Sequence, residues 1–154
     1  MQNTLHVICT KFDDSVKKLS AAIAGGADVH NTDESGRTPL QIAAFNGKDK
    51  QIKLLLEAGA NPNTGAEDAI LGRNAKALKM ILEFGGKIYR TNKEGENYLH
   101  IASRLAYPEI VEILLNAGID VNKPNNKGLV PLHLCTKKRE HQIGDHKLLR
   151  YDDV

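Results

Sequence analysis

The 154-residue sequence has no tryptophan, three phenylalanines and four tyrosines. A core in so aromatic-poor a chain must be built from Leu, Ile, Val and Ala, which favours helix packing. Cysteine is scarce as well. Cys9 and Cys135, near opposite ends, are too few for a disulfide framework and are expected to be reduced, small and buried. The formal net charge is +2, too small to predict attraction to nucleic acid or to an acidic membrane, and the basic cluster Lys137, Lys138 and Arg139 is slight. No apolar run approaches the ~18 to 20 residues that span a bilayer. Met1 to Cys9 lacks the basic and apolar parts of a secretory signal. The expectation is a cytoplasmic or nuclear protein, or one in a host cytosol if it is a secreted effector, with neither a membrane nor a nucleic-acid partner.

Chemistry-bearing patterns are equally scarce. There is no Ser, His, Asp constellation, no nucleotide-binding glycine loop and no metalloprotease helix, so an enzyme is not expected. His133, Cys135, His141 and His146 offer imidazole and thiolate, which suit zinc, but their spacing matches no standard zinc pattern. Neither a metal nor another cofactor is predicted.

What the chain does contain is self-similarity. Leu55-Leu56-Glu57-Ala58-Gly59-Ala60 recurs as Ile81-Leu82-Glu83-Phe84-Gly85-Gly86 and as Leu114-Leu115-Asn116-Ala117-Gly118-Ile119, with an earlier copy at Ala22-Ile23-Ala24-Gly25-Gly26-Ala27. The closing glycines Gly26, Gly59, Gly85 and Gly118 are separated by 33, 26 and 33 residues. Running into each copy is a helical stripe at i, i+3 and i+4: Leu19, Ala22, Ile23; Ile52, Leu55, Leu56; Leu78, Ile81, Leu82; Val111, Leu114, Leu115. The glycine that follows can end a helix in the left-handed region. Turn formers separate the units at Asp33-Glu34-Ser35-Gly36, Asn92-Lys93-Glu94-Gly95 and Asn125-Asn126-Lys127-Gly128. A helix pair with one apolar stripe cannot bury it alone and must stack on its neighbours.

A second landmark opens each unit, as Asn3-Thr4-Leu5-His6, Thr38-Pro39-Leu40-Gln41, Asn97-Tyr98-Leu99-His100 and Val130-Pro131-Leu132-His133. The chain resembles the ankyrin-repeat family, whose Thr-Pro-Leu-His-x-Ala pattern recurs about every 33 residues. The resemblance implies an all-α repeat solenoid of stacked helix pairs with projecting β-hairpin loops, in about four to five repeats. As one domain over residues 1–154, the repeats fall at about 1–30, 31–63, 64–89, 90–122 and a capping or partial unit at 123–154. The third is seven residues short, and its hairpin tip is what is missing. No copy keeps Thr-Pro-Leu-His entire, so the side-chain bond between Thr and His that fixes this turn in the family is expected to be altered or missing throughout, and stability to be modest.

The resemblance also implies a non-catalytic protein-interaction module, expected to be monomeric, that binds a protein partner of unknown identity on its concave surface. The matching positions on the first helices are Lys11, Phe45, Asn46, Leu71, Arg104, Leu105, Lys137 and Lys138, with Thr10 and Gly72 at the same register. The tips add Arg37 and Leu129 beside Glu34, Ser35, Lys93, Glu94, Glu96, Asn126 and Lys127. Phe45, Leu71, Leu105 and Leu129 are apolar where a solvated face would be polar, and apolar groups beside arginine resemble binding hot spots. His6, His100 and His133 share one repeat position and are read as serving the hairpin backbone. Two alternatives stay open: an inhibitory ankyrin protein that sequesters a transcription factor, or the targeting domain of a larger enzyme or effector.

Because His133 and Cys135 have repeat assignments of their own, purified protein should carry no stoichiometric zinc. Adding a chelator should leave Tm unchanged, and a large drop would put a metal at that cluster.

Overall fold

The computed structural model describes residues 5, 6, 8 and 15–134. Cys9, Lys11, Cys135, Lys137, Lys138, His141 and His146 lie outside the described residues. By its contacts the chain divides into two compact units, Met1–Lys87 and Ile88–Val154. The described helices are α1 (Ser15–Ala24), α2 (Pro39–Asn46), α3 (Asp49–Glu57), α4 (Ala66–Leu71), α5 (Ala75–Glu83), α6 (Tyr98–Leu105) and α7 (Pro108–Asn116). Residues 131–134 are helical too, and no strand occurs among the described residues.

In the first unit, α2 packs on α3 and α4 on α5, each pair being one repeat. The repeats stack through two layers, α2 against α4 on the inner side and α1, α3 and α5 in succession on the outer side. The predicted stripes form this core: Leu19, Ile52, Leu55, Leu78 and Ile81 are wholly buried. Gly59 (φ 96°) ends α3, and the Ala60 N–H beyond it bonds back to the Leu55 carbonyl. That return bond satisfies a carbonyl left over at the helix end. In the second unit α6 packs on α7, where the buried stripe is Ile110, Ile113 and Leu114, one residue earlier than the pattern predicts. Leu115, matched to the buried Leu56, is 47% exposed, because no described helix follows α7 on that side.

Two of the inner helices, α2 and α6, start with caps rebuilt from unorthodox residues. Thr38 accepts the Gln41 N–H at 3.3 Å while the Gln41 side chain accepts the Thr38 N–H at 3.0 Å. In the fourth repeat Asn97 and His100 form the same reciprocal pair, both bonds at 3.0 Å. In these two repeats the fixing bond is altered but not lost, since Gln can stand in for His and Asn for Thr wherever an acceptor faces the right N–H, whereas α4 starts at Gly65 with no side-chain cap bond.

Each tip is a turn rather than a ladder. Asp33 Oδ1 accepts the N–H groups of Ser35 and Arg37, and the Asp33 N–H donates to the Arg37 carbonyl at 2.9 Å. Asn92 and Asn125 repeat the arrangement with Glu94 and Glu96, and with Lys127 and Leu129. In the third repeat the turn at Asn61–Thr64 leads straight into α4, so the seven-residue deficit removes the tip and leaves the helix pair whole.

Gly72 marks the closest approach in the inner layer, since a Cβ there would run into the Phe45 carbonyl oxygen and the Asn74 amide. That amide, Asn74 Nδ2, donates to the carbonyls of Ala44 (2.7 Å) and Phe45 (2.8 Å) at the C-terminal end of α2, where helix carbonyls run short of ladder partners. Gly72→Ala should therefore lower stability by about 1 to 3 kcal/mol, as overpacking does, read from the denaturant midpoint. An unchanged midpoint would mean that α2 and α4 are not held this tightly.

Candidate functional site

Two patches gather the residues that the repeat pattern turns outward, one in each unit. In the first, Phe45 at the end of α2 is 50% exposed and Leu71 at the end of α4 is 45% exposed. They sit side by side because the two helix ends touch through Gly72 and are tied by Asn74. Asn46 is also exposed. Gly72, at the register of a contact residue, is taken up by helix packing instead.

Arg37, on the tip of the same unit, is exposed and pairs with Asp33 at 3.3 Å. The Arg37 backbone N–H chiefly holds the Asp33 carboxyl below the usual carboxylate range. Loss of hydration opposes it, and the Ser35 N–H and the charges of Arg37 and His6 assist. The tip is anchored from below, where His6 Nε2 donates to the Arg37 carbonyl at 2.7 Å. His6 is buried, so its role is structural.

In the second unit, Arg104 and Leu129 line one cleft of about 320 Å³ together with Lys93, Glu94, Asn126 and Leu134. Its wall is made by two tips bonded to each other: the Asn126 N–H donates to the Glu94 carbonyl at 2.9 Å and Asn126 Nδ2 to the Lys93 carbonyl at 2.8 Å. Arg104 is half exposed, and its guanidinium bonds Glu96 Oε2 at 3.1 Å. Glu96 also accepts from Asn92 Nδ2 at 3.1 Å and is 9% exposed, so this tip carboxylate positions Arg104 and is not itself offered outward. Leu105 and Leu129 are half buried, where the pattern suggested open apolar groups. Below them His100 is fully buried, with Nδ1 accepting the Asn97 N–H and Nε2 donating to the Leu129 carbonyl at 2.9 Å. His133 is exposed, and its Nδ1 accepts the Val130 N–H at 3.3 Å, the same local bond one repeat on.

One residue of the site's support escaped the pattern altogether. Gln41, at the histidine position of the second repeat, faces a repeat without a tip, and its Nε2 donates to Asp68 Oδ2 at 3.1 Å instead. Only the coincidence of a Gln in this place and a short next repeat could have signalled it.

Family models for ankyrin repeats match residues 66–151, as three copies, and residues 35–67. Inversin of Mus musculus is 29% identical over 82% of this chain. The transient receptor potential cation channel subfamily A member 1 of Homo sapiens is 34% identical over 68%, and the mitochondrial disaggregase of Bos taurus 30% identical over 92%. The chain spans 13%, 10% and 22% of the length of these three relatives. None of the described helices is long and apolar enough to cross a membrane.

Burial raises the Asp68 carboxyl above the ordinary aspartate value, with the Gln41 bond opposing. The folded state then binds this proton more tightly than the unfolded chain, so the carboxylate costs stability as pH rises through the raised value. Asp68→Asn keeps an acceptor for Gln41 and should raise Tm at pH near 7. The gain should fade toward about pH 3, below the ordinary aspartate value, where the carboxyl is protonated in the folded and the unfolded chain alike. A gain of equal size at both ends of the range would assign the effect to something other than this charge.

Proposed function

The chain belongs to the ankyrin-repeat family, an all-α repeat solenoid class of protein-interaction modules, and we propose that it binds its protein partner on the side formed by the inner helix ends and the tips. On this reading residues 1–154 are one ankyrin domain that catalyses nothing, needs no cofactor, and works as a monomer in the cytoplasm or nucleus. The anchors are Phe45 and Leu71 with Asn46 and Arg37 beside them in the first unit, and Arg104 with Leu105 and Leu129 in the second. Lys11, Lys137 and Lys138 belong to the same proposal by repeat position alone.

The observation that carries the reading is the pair Phe45 and Leu71. Both are large apolar side chains left about half exposed on helix ends that the chain goes to the length of a forced glycine and an asparagine clamp to hold together. A rigidly presented apolar pair loses little entropy when a partner covers it. A second reading, recognition module of a larger enzyme or effector, is supported by the relatives, all several times longer than this chain. Determining the full open reading frame separates the two.

Phe45→Ala and Leu71→Ala should each change stability by no more than about 0.5 kcal/mol, as at ordinary surface sites, while weakening partner binding by more than about 1 kcal/mol. Leu105→Ala, at a half-buried position, should lower stability as well as weaken binding. The partner is captured from the source cell with the native protein, identified by mass spectrometry, and titrated against each variant. Variants of Phe45 and Leu71 that stay folded and bind normally would move the interface elsewhere.

A further inference from the structure

The outer layer of the first unit carries a charge pattern that neither packing nor the inner surface explains. Lys17, Lys50 and Lys76 each stand two residues before the first buried residue of their stripe, Leu19, Ile52 and Leu78. They therefore occupy the same place on α1, α3 and α5, three helices packed side by side. Lys53 and Lys79 follow one turn later on α3 and α5, and Lys18 adjoins Lys17. All six are exposed. Lys76 alone among them has an ionic partner among the described residues, a loose pair with Asp49 at 3.6 Å.

This placement runs against local electrostatics. A helix start is the positive end of its dipole and favours acidic side chains, whereas all three helices put lysine near the start, in α3 next to the acid Asp49, and α3 and α5 end on Glu57 and Glu83. The i,i+4 pairs Lys53 with Glu57 and Lys79 with Glu83 are in the weaker order, and neither closes into an ion pair. At the corresponding sites of α7 stand Glu109 and Glu112, the arrangement that helix stability prefers. Lysine at all three outer-helix starts of one unit is thus a departure that costs the fold something, and such departures concentrate at functional sites.

We propose that this lysine row is a second docking surface, distinct from the inner one, for an extended acidic segment of a protein partner. Three features select that occupant. The row runs across the helices at one level, with neighbours separated by the interhelix distance of about 8 to 10 Å. A segment in the extended polyproline II conformation, with three residues per turn rising about 3.1 Å each, brings every third side chain onto one face at about that spacing. Glu57 and Glu83 lie at the far end of the same helices, so a broad anionic plane such as a bilayer would meet them as well, while a single chain can follow the lysines and avoid them. The three helices also contain neither arginine nor an aromatic residue, the groups that read or stack nucleic-acid bases.

The test uses a labelled heptapeptide with glutamate at its first, fourth and seventh positions, titrated by fluorescence anisotropy at low ionic strength into the full chain. The peptide should bind, with an affinity that falls as salt rises. The double variant Lys50→Glu/Lys76→Glu should weaken it by about tenfold or more. Lys87→Glu/Lys123→Glu, which alters net charge equally at exposed sites elsewhere, should bind within about twofold of the native chain, as should Phe45→Ala. Lys50→Glu should melt no lower than the native protein, because an acid suits the first turn. The proposal is overturned if the peptide does not bind, if both charge reversals weaken it alike, if Lys50→Glu melts markedly lower, or if a single-stranded oligonucleotide or phosphatidylserine vesicles of matched charge bind more tightly than the peptide.

Discussion

In the second and fourth repeats the contact with the next repeat depends on one side chain that does two things in opposite directions. At the third position of an inner helix it has to accept the N–H of the residue that caps that helix, and from its other end donate to the next repeat. Neutral imidazole does this with its two nitrogens, as His100 does between the Asn97 N–H and the Leu129 carbonyl. A carboxamide does it with oxygen and nitrogen, as Gln41 does between the Thr38 N–H and Asp68. Few side chains carry an acceptor and a donor at such separation, and burial makes either one costly to leave unmade. The requirement explains the Gln of the second repeat and the His of the fourth, while the third repeat carries an exposed Glu67 at this position.

The choice between them follows from what comes next. His6 and His100 reach the backbone carbonyl at the base of a tip, Arg37 in one case and Leu129 in the other. The third repeat has no tip, and so no carbonyl waits for the second repeat's side chain. Gln41, longer and more flexible, reaches past that gap to the Asp68 carboxylate on α4. The same stretch is tightened by Thr64, whose hydroxyl donates to the Asn61 carbonyl at 2.8 Å, and by Gly72 and Asn74 at the other end of α4. The shortened repeat is thus seated by specific polar contacts at both ends of its inner helix.

Much of the fold was legible because stacking repeats one solution several times. The stripes of α3 and α5, the closing glycines, the turn residues Asp33, Asn92 and Asn125, and the missing tip all follow from periodicity and turn chemistry. What escaped was whatever a residue does outside its own repeat. Leu105 and Leu129 read as open groups, yet both are half buried, because exposure depends on neighbouring tips and on α6 together. Glu96 read as a tip contact and is instead the buried partner of Arg104. Gly72 read as a variable surface position, whereas its meaning lies in the Phe45 carbonyl of the preceding repeat. Phe45 and Leu71 are exposed, as their register near the ends of α2 and α4 implies.

The inner and outer layers therefore depart from ordinary helix design in different ways. On the inner side the backbone is held rigid by groups that do not face outward, such as Gly72, Asn74 and His100, which leaves the exposed ends of α2 and α4 free to carry apolar side chains without loss of stability. On the outer side the burial pattern is conventional, and the departure is electrostatic: lysines stand where the helix dipole favours acids, on three adjoining helices of one unit, while α7 keeps the ordinary arrangement. A stacked repeat makes both cheap. Its stability comes from stripes facing neighbouring helix pairs, so a side chain that points away from every neighbour can be changed at a cost confined to its own helix.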